Sequence, residues 1–518
     1  MENTEAKNTE IKEEKKSKPK KQTKISIFKQ MQESFTPEEK EKISRHFADF
    51  RMHCHMAPKE TELLHEDIEE ALLYYKNLGT ITLDEALRRL SNEKLGGFYA
   101  NPSSLWFPLD DAAKIYPFSM QEGYMNVFRL SMNMKENVVP ELLQMALTFT
   151  IKRFPVFATT LKKGVFWHYL DSTKRRFTVH EDKNIPCSPI PISQSGAQAF
   201  RVLYYKNRIS VEFFHILTDG TGAVAFLRAL VSEYLSLLGY ESEPDETILD
   251  IAEPPIKEEI TNEFARVEKP DTSGGFVDKI ALQMSGNHSS TLPCRVIHLK
   301  FKTEDIKAAA KKHDATVTMF LLSLMFLATK GSTEEMNGDI NIQMPVNMRK
   351  FYPSKTLRNF SMYTGIRLPI DEITTIDEIL PEINDQVKEK SSREAMSSMV
   401  AATNKLVNGI KFIPMVVKSP VAKLIYGFLG EKIFTSTLSN LGVVTMPRGF
   451  REHIQDMEFT LGPSKTNKAL CSAITYGDTT VFTITKNTVS PVFEERMCSL
   501  LAREGLNPVV EGSPNYEY

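Results

Sequence analysis

The chain has little with which to hold itself together covalently. Its five cysteines, Cys54, Cys187, Cys294, Cys471 and Cys498, are odd in number, widely scattered and never spaced Cys-x-x-Cys. That pattern argues against a disulfide framework or a zinc module and predicts a reducing, cytoplasmic setting. Charge of one sign is also lacking: 64 Lys and Arg stand against 66 Asp and Glu, a formal net charge of -2. No global field then favours nucleic acid. The longest apolar run, residues 319–328, falls short of the ~18 residues of a bilayer crossing, so no membrane span is expected. Nothing near Met1 resembles a signal peptide, and no glycine loop has the phosphate-cradling pattern.

What is present suits a large globular protein. The 518 residues, 41% hydrophobic and 25% charged, have room for two to four domain-sized units. Residues 1–34 read as a disordered charged tail, in which Lys15, Lys16, Lys18, Lys20, Lys21 and Lys24 form a basic run. Residues 35–104 read as a helical appendage. Thr36-Pro37 opens a segment with Ile43, Phe47 and Phe50; Leu64, Ile68, Leu72 and Tyr75 mark a second, closed by Gly79; Thr82-x-x-Glu85 has the capping-box spacing for a third. His46, His53, Cys54, His55 and His65 concentrate here, but their spacings match no common zinc signature, so no metal is assigned. Residues 105–240 alternate strand and helix patterns, residues 241–292 read as a crossover linker, and residues 293–518 form a second mixed unit.

Residues 209–238 organise the first unit. Ile209, Val211, Phe213 and His215 fall on one face of a period-two segment, with Ser210, Glu212 and Phe214 on the other. Four residues after His215 come Asp219 and Gly220, and then Phe226, Leu227, Leu230, Val231, Tyr234, Leu235 and Leu238 recur with helical spacing. A strand therefore delivers an imidazole to a turn from which a buried helix leaves, with Thr218 or Asp219 as its cap. An imidazole of ordinary pKa about 6.5 is mostly neutral near neutral pH and suits a general base. The plain alternative is a core histidine bonded to backbone. With eleven His in the chain, the spacing His-x-x-x-Asp-Gly arises by chance about 0.03 times, which weighs against accident.

These residues resemble the chloramphenicol acetyltransferase-like superfamily, which includes peptide-synthetase condensation domains and alcohol O-acyltransferases, and most of all its bacterial alcohol acetyltransferase-type members. The resemblance rests on Phe214-His215-Ile216-Leu217-Thr218-Asp219-Gly220, on Pro108-Leu109-Asp110-Asp111-Ala112-Ala113-Lys114-Ile115, on Pro345-Val346-Asn347-Met348-Arg349 and on Ser439-Asn440-Leu441-Gly442. It spans residues 105–518 and leaves residues 1–104 outside. It implies a mixed α/β (α+β) fold of two facing mixed-sheet subdomains. It also implies an acyltransferase in which His215 deprotonates an acceptor hydroxyl or amine that attacks an acyl thioester directly, acyl-CoA, with acetyl-CoA foremost, being the co-substrate.

By the same resemblance Asp219 holds the turn through an arginine, for which Arg349, following Asn347, is the candidate, and Gly220 allows close backbone approach to the acyl group. Ser439 and Asn440 either donate to an oxyanion or secure a strand turn. Many relatives carry a histidine where Phe214 stands. An amide-forming condensation enzyme with carrier-bound donors and a catalytically silent scaffold are the alternatives. The expected partner is a small-molecule alcohol or amine.

Overall fold

A computed structural model describes residues 22–54, 56–98, 106–120, 124–172, 176–192, 198–270, 279–418 and 432–513. Residues 421–431 of the helix expected at 421–432 lie outside the described residues, as do the Ser273-Gly274-Gly275 turn and His55.

Four helices precede the body: α1 (Gln22–Ser34), α2 (Pro37–His53), α3 (Pro58–Leu78) and α4 (Leu83–Arg89). Residues 22–34, expected within a disordered tail, are helical. The reason is the spacing of Met31 and Phe35, both buried, which gives a largely polar segment an apolar stripe. Thr36 and Glu39 make a complete capping box at α2. At α4 only half of the expected box forms. Thr82 accepts from the Glu85 amide at 3.2 Å, while the Glu85 carboxylate turns to Arg88 and Arg89. Gly79 closes α3 with φ +69°, a left-handed conformation that a side chain resists.

The appendage does not stand apart from the body. Tyr75 Oη donates to the Leu237 carbonyl at 2.6 Å, Lys94 pairs with Glu233 at 2.6 Å, and Asp67 receives Thr148 and Arg176. Leu64, Ile68 and Leu72 share one continuous apolar core with the body's Leu143, Leu147 and Phe226. His46 bonds the Leu90 carbonyl, His53 the Asp49 carbonyl, and His65 stacks on Phe47.

In the first lobe, β1 (Trp106–Pro108), β3 (Thr159–Lys163) and β4 (His168–Ser172) form a small sheet in the order β1-β4-β3. Residues 164–167 form the hairpin turn that joins β3 to β4. A short α5 (Tyr116–Ser119) leads to β2 (Val127–Met134) and α6 (Pro140–Thr150). Then come β5 (Val179–Glu181), β6 (Phe200–Tyr205), β7 (Arg208–Phe214) and α7 (Gly220–Leu238). α6 and α7 cover the apolar face of the main sheet. Of the described helices α7 alone has the length and composition to cross a bilayer, and most of it is buried in protein.

The connection contains α8 (Lys257–Ile260), tied to the first lobe by Glu259, which receives the Arg153 guanidinium at 2.7 Å. The second lobe follows with β8 (Arg295–Lys302), α9 (Thr303–Lys312), α10 (Val317–Lys330), β9 (Asp339–Asn347), β10 (Ser361–Pro369), α11 (Ile376–Lys390) and α12 (Arg393–Gly409). It ends with β11 (Ser436–Val444), β12 (Ile454–Leu461), β13 (Ala469–Tyr476), β14 (Thr479–Lys486), the C-terminal helix Val492–Arg503 and β15 (Val509–Gly512). Its mixed sheet has the order β10-β9-β11-β13-β14-β8-β15.

One strand crosses over. β12, from the second half of the chain, pairs antiparallel with β2 and completes the first-lobe sheet as β12-β2-β7-β6-β5. The polar face of that sheet, carrying Arg129, Ser131, Ser210 and Glu212, is buried as well. Arg129 bonds Glu212 at 2.7 Å and Asp182 at 2.6 Å. Lys300 of β8 reaches Asp456 of β12 at 2.9 Å, and His298 lies 3.6 Å from Glu458. Charges this deeply placed persist because each has a partner. They tie the two sheets together.

Candidate functional site

His215 leaves β7 one residue beyond its last ladder pair, Val127 with Phe214, and its amide donates to the Asn126 carbonyl at 2.8 Å. The ring stacks on Tyr116, centroids 4.8 Å apart at 30°, and lies 5.1 Å from Phe128. It is half-buried and not sealed in the core. Burial pushes its pKa below the usual histidine value, with Asp219, its own backbone carbonyl and Asn359 acting the other way.

The tautomer follows from its partners. Nδ1 lies 2.9 Å from Asn359 Oδ1. The Asn359 amide is oriented by Asp110, because Nδ2 donates to Asp110 Oδ2 at 3.2 Å and a carboxylate only accepts. Oδ1 then faces the ring, so Nδ1 carries the hydrogen, and Nε2 keeps its lone pair. Asp110 is fully buried, which raises its pKa; the Arg358 guanidinium, 3.7 Å away, and the Ala113 N–H at 2.7 Å oppose that rise. Arg358 in turn donates to the Pro108 carbonyl at 2.5 Å.

Asp219 turns away from the ring and holds the turn. Its Oδ1 caps α7, accepting from the Thr221 and Gly222 amides at 3.1 and 3.3 Å. Its Oδ2 accepts from Arg349 at 2.7 Å and from the Phe360 amide at 2.8 Å. Arg349 also donates to the carbonyls of Thr356 and Arg358, each at 2.8 Å. The guanidinium therefore staples the His215 turn to loop 356–360, which carries Asn359. Asn347 supports it by accepting the Arg349 amide at 3.0 Å, and it reaches Thr221 Oγ1 at 3.3 Å. Thr218 Oγ1 adds a bond to the Leu357 carbonyl at 2.6 Å.

The two glycines are constrained differently. A Cβ on Gly222 would sit 2.1 Å from the Leu357 carbonyl oxygen, which belongs to fixed backbone. At Gly220 the obstacle is Leu441 Cδ2 at 2.4 Å, the tip of a flexible side chain. The segment containing Ser439 and Asn440 thus meets the turn through Leu441. Ser439 is buried, in register with Ser472 of β13. Asn440 donates to Thr318 Oγ1 at 2.9 Å and accepts from the Gly442 amide at 2.8 Å, securing a bulge at which Gly442 has φ +72°.

The structure therefore brings His215, Asp219, Gly220, Asn347 and Arg349 into one cluster and sets Ser439 and Asn440 beside it. Sequence reasoning gave no role to Asn359, Asp110, Arg358 or Tyr116. Asp110 and its neighbours stand in a recognised stretch, and that was their only signal. Asn359 sits in a loop without periodicity, 144 positions from the ring it touches. Among the described residues no cluster of three or more His, Cys, Asp or Glu side chains offers a metal site.

No protein-family model matches the chain, and no curated protein matches its sequence. Solved structures do match its fold. The trichothecene 15-O-acetyltransferase TRI3 of Fusarium sporotrichioides is 10% identical with a TM-score of 0.52, covering 77% of this chain and 94% of its own. The F. graminearum TRI101 structure with coenzyme A and deoxynivalenol is 13% identical with a TM-score of 0.53, over 76% of this chain and 97% of its own. The first condensation domain of the calcium-dependent antibiotic synthetase is 13% identical with a TM-score of 0.51, over 78% and 97%. At such identities what is shared is the fold: this chain has the two-lobed mixed-sheet architecture seen in these acetyltransferase and condensation-domain structures.

Proposed function

We propose that the protein is an acyltransferase that moves an acetyl or other short acyl group from acyl-CoA to the hydroxyl of a small molecule, with His215 as general base. The observation that carries this reading is a partly buried imidazole whose Nδ1 is held by Asn359 and whose Nε2 is left to accept a proton. Nε2 takes the proton of the acceptor O–H, the oxygen forms a bond to the thioester carbonyl carbon, and the C–S bond breaks. The departing thiolate then recovers the proton from the imidazolium. No acyl-enzyme forms. General base catalysis supplies roughly 10²- to 10⁴-fold, so alignment of the two substrates between the lobes contributes much of the remainder. The lowered pKa of His215 supports this role, since it keeps the ring in its basic form at neutral pH. Asp219, Arg349 and Asn347 hold the turn and touch no substrate in this scheme.

The fold relatives support the donor and acceptor classes: one is named an O-acetyltransferase and another is complexed with coenzyme A and deoxynivalenol. The equally similar condensation domain supports a second reading, amide formation from a carrier-bound acyl donor. A reducing, cytoplasmic setting belongs to the same proposal, supported by five free cysteines, four of them buried. The test is thiol release from acetyl-CoA with a panel of alcohols, beside a His215→Ala variant. The expected loss in the variant is at least about 100-fold. Equal rates would remove His215 as the base, and turnover confined to carrier-loaded donors and amines would select the amide-forming reading.

A further inference from the structure

Two segments far apart in sequence meet at the surface beyond the candidate site. In the β3–β4 hairpin the Gly164 amide donates to the Trp167 carbonyl, and the turn so formed presents Val165 and Phe166. Downstream of α12, the Met415 amide donates to the Val165 carbonyl at 2.9 Å, and Lys418 Nζ donates to the Phe166 carbonyl at 2.8 Å while lying 3.5 Å from the Trp167 ring centre. The resulting surface is strongly apolar. Phe412 is 77% exposed, Val416 76% and Val165 70%, with Val417 and Phe166 beside them. Single exposed apolar side chains are ordinary, but a contiguous group of large ones marks an interaction surface.

Charge selects the partner. Residues 161–170 and 405–418 contain five lysines and not one Asp or Glu. Lys163 and Lys411 are exposed at the rim of the apolar group. Projecting turns with apolar tips and a lysine rim suit the headgroup boundary of a bilayer, where the tips enter the acyl region and ammonium groups meet lipid phosphates. We propose that this face docks the protein on an anionic lipid surface. The face adjoins the candidate site: Lys114 lies 5.9 Å from the Trp167 ring, pairs with Asp111 at 2.7 Å, and stands two residues before Tyr116, the ring stacked on His215. Docking itself is independent of the acyltransferase reading and is tested without turnover.

The experiment is co-sedimentation of the full chain with phosphatidylcholine vesicles, with and without phosphatidylserine. Pelleting with the phosphatidylserine vesicles, weakened by salt, is expected. Phe412→Ser with Val416→Ser should weaken it at least about 30-fold, because two buried apolar side chains are lost from the bilayer. Lys163→Gln and Lys411→Gln should weaken it about five-fold each. All four residues are exposed, so parental melting midpoints are expected. Absence of pelleting, or equal pelleting of the Phe412/Val416 variant, would overturn the proposal. So would binding that disappears on deletion of residues 1–21 yet survives in that variant, or a concentration-dependent dimer in light scattering that the same variant dissociates.

Discussion

Replacing Arg349 by Ala removes one guanidinium that joins three parts of the site. Asp219 loses the 2.7 Å partner of its Oδ2 but keeps the amides of Thr221, Gly222 and Phe360. Breaking a buried ion pair costs roughly 3–5 kcal/mol, and the three remaining donors argue for the lower end. The carbonyls of Thr356 and Arg358 lose their donors as well, at about 1 kcal/mol each where water cannot replace them. A total near 5 kcal/mol, set against an unfolding entropy of about 1 kcal/mol per degree for a chain of this size, lowers the melting midpoint by about 5 °C. Activity should fall further than stability alone requires, because loop 356–360 places Asn359 against His215. Arg349→Lys keeps a charge for Asp219 but cannot also reach both carbonyls, and should lie between parent and Ala variant in both measurements. Scanning calorimetry paired with thiol-release rates provides the assay. A midpoint within 1 °C of the parent for Arg349→Ala would refute the staple.

The remaining predictions concern single groups. Since the pKa of His215 is depressed by burial, kcat/KM should rise from acid pH with a midpoint below 6.5 and stay level above it; a midpoint above 7 contradicts the assignment. Asn359→Ala removes a partner that favours the imidazolium and fixes the tautomer, so the midpoint should move lower still while the plateau drops about ten-fold or more; an unchanged plateau would count against the relay. Gly222→Ala should destabilise more than Gly220→Ala, by about 2 kcal/mol or more, because backbone cannot yield as the tip of Leu441 can; denaturant titration decides the order. The pKa of His168 is lowered to about 4, chiefly by burial and also by Lys163. Between pH 6.5 and about 4 the unfolded chain binds a proton that the folded one refuses, so this stability is full above pH 6.5 and lost as pH falls. His168→Gln should therefore lose less stability than the parent from pH 7.5 to pH 5, by about 1–2 kcal/mol; parallel curves would contradict it.

The strand, turn and helix around His215 were legible because period two, a cap and period 3.6 follow one another within thirty residues, and local pattern settles each. Burial of both faces of that strand was not legible. Ser210 and Glu212 read as a polar face, yet both are buried, Ser210 against the Ser131 hydroxyl and Glu212 among Arg129, Arg201 and the Cys187 amide, which are distant in sequence or on neighbouring strands. Edge strand β12 escaped notice for a related reason: its partner β2 lies more than three hundred residues earlier. Asn359 carries no pattern at all, since a loop amide becomes part of a site through where the fold leaves it. At the N-terminus composition misled, because many lysines obscured the spacing of Ile27, Met31 and Phe35.

The borrowed edge of the first sheet bears on how the chain is made. A ribosome that has finished residue 300 has released every other strand of that sheet, yet β2 still exposes an open ladder with Phe128, Leu130 and Met132 behind it. Such an edge pairs readily with neighbouring chains. Nascent protein must remain so until residue 461 emerges, which makes the first half a client for holding factors and a poor fragment to express alone. Supplying residues 454–461 in trans as a peptide would be the simplest way to close it.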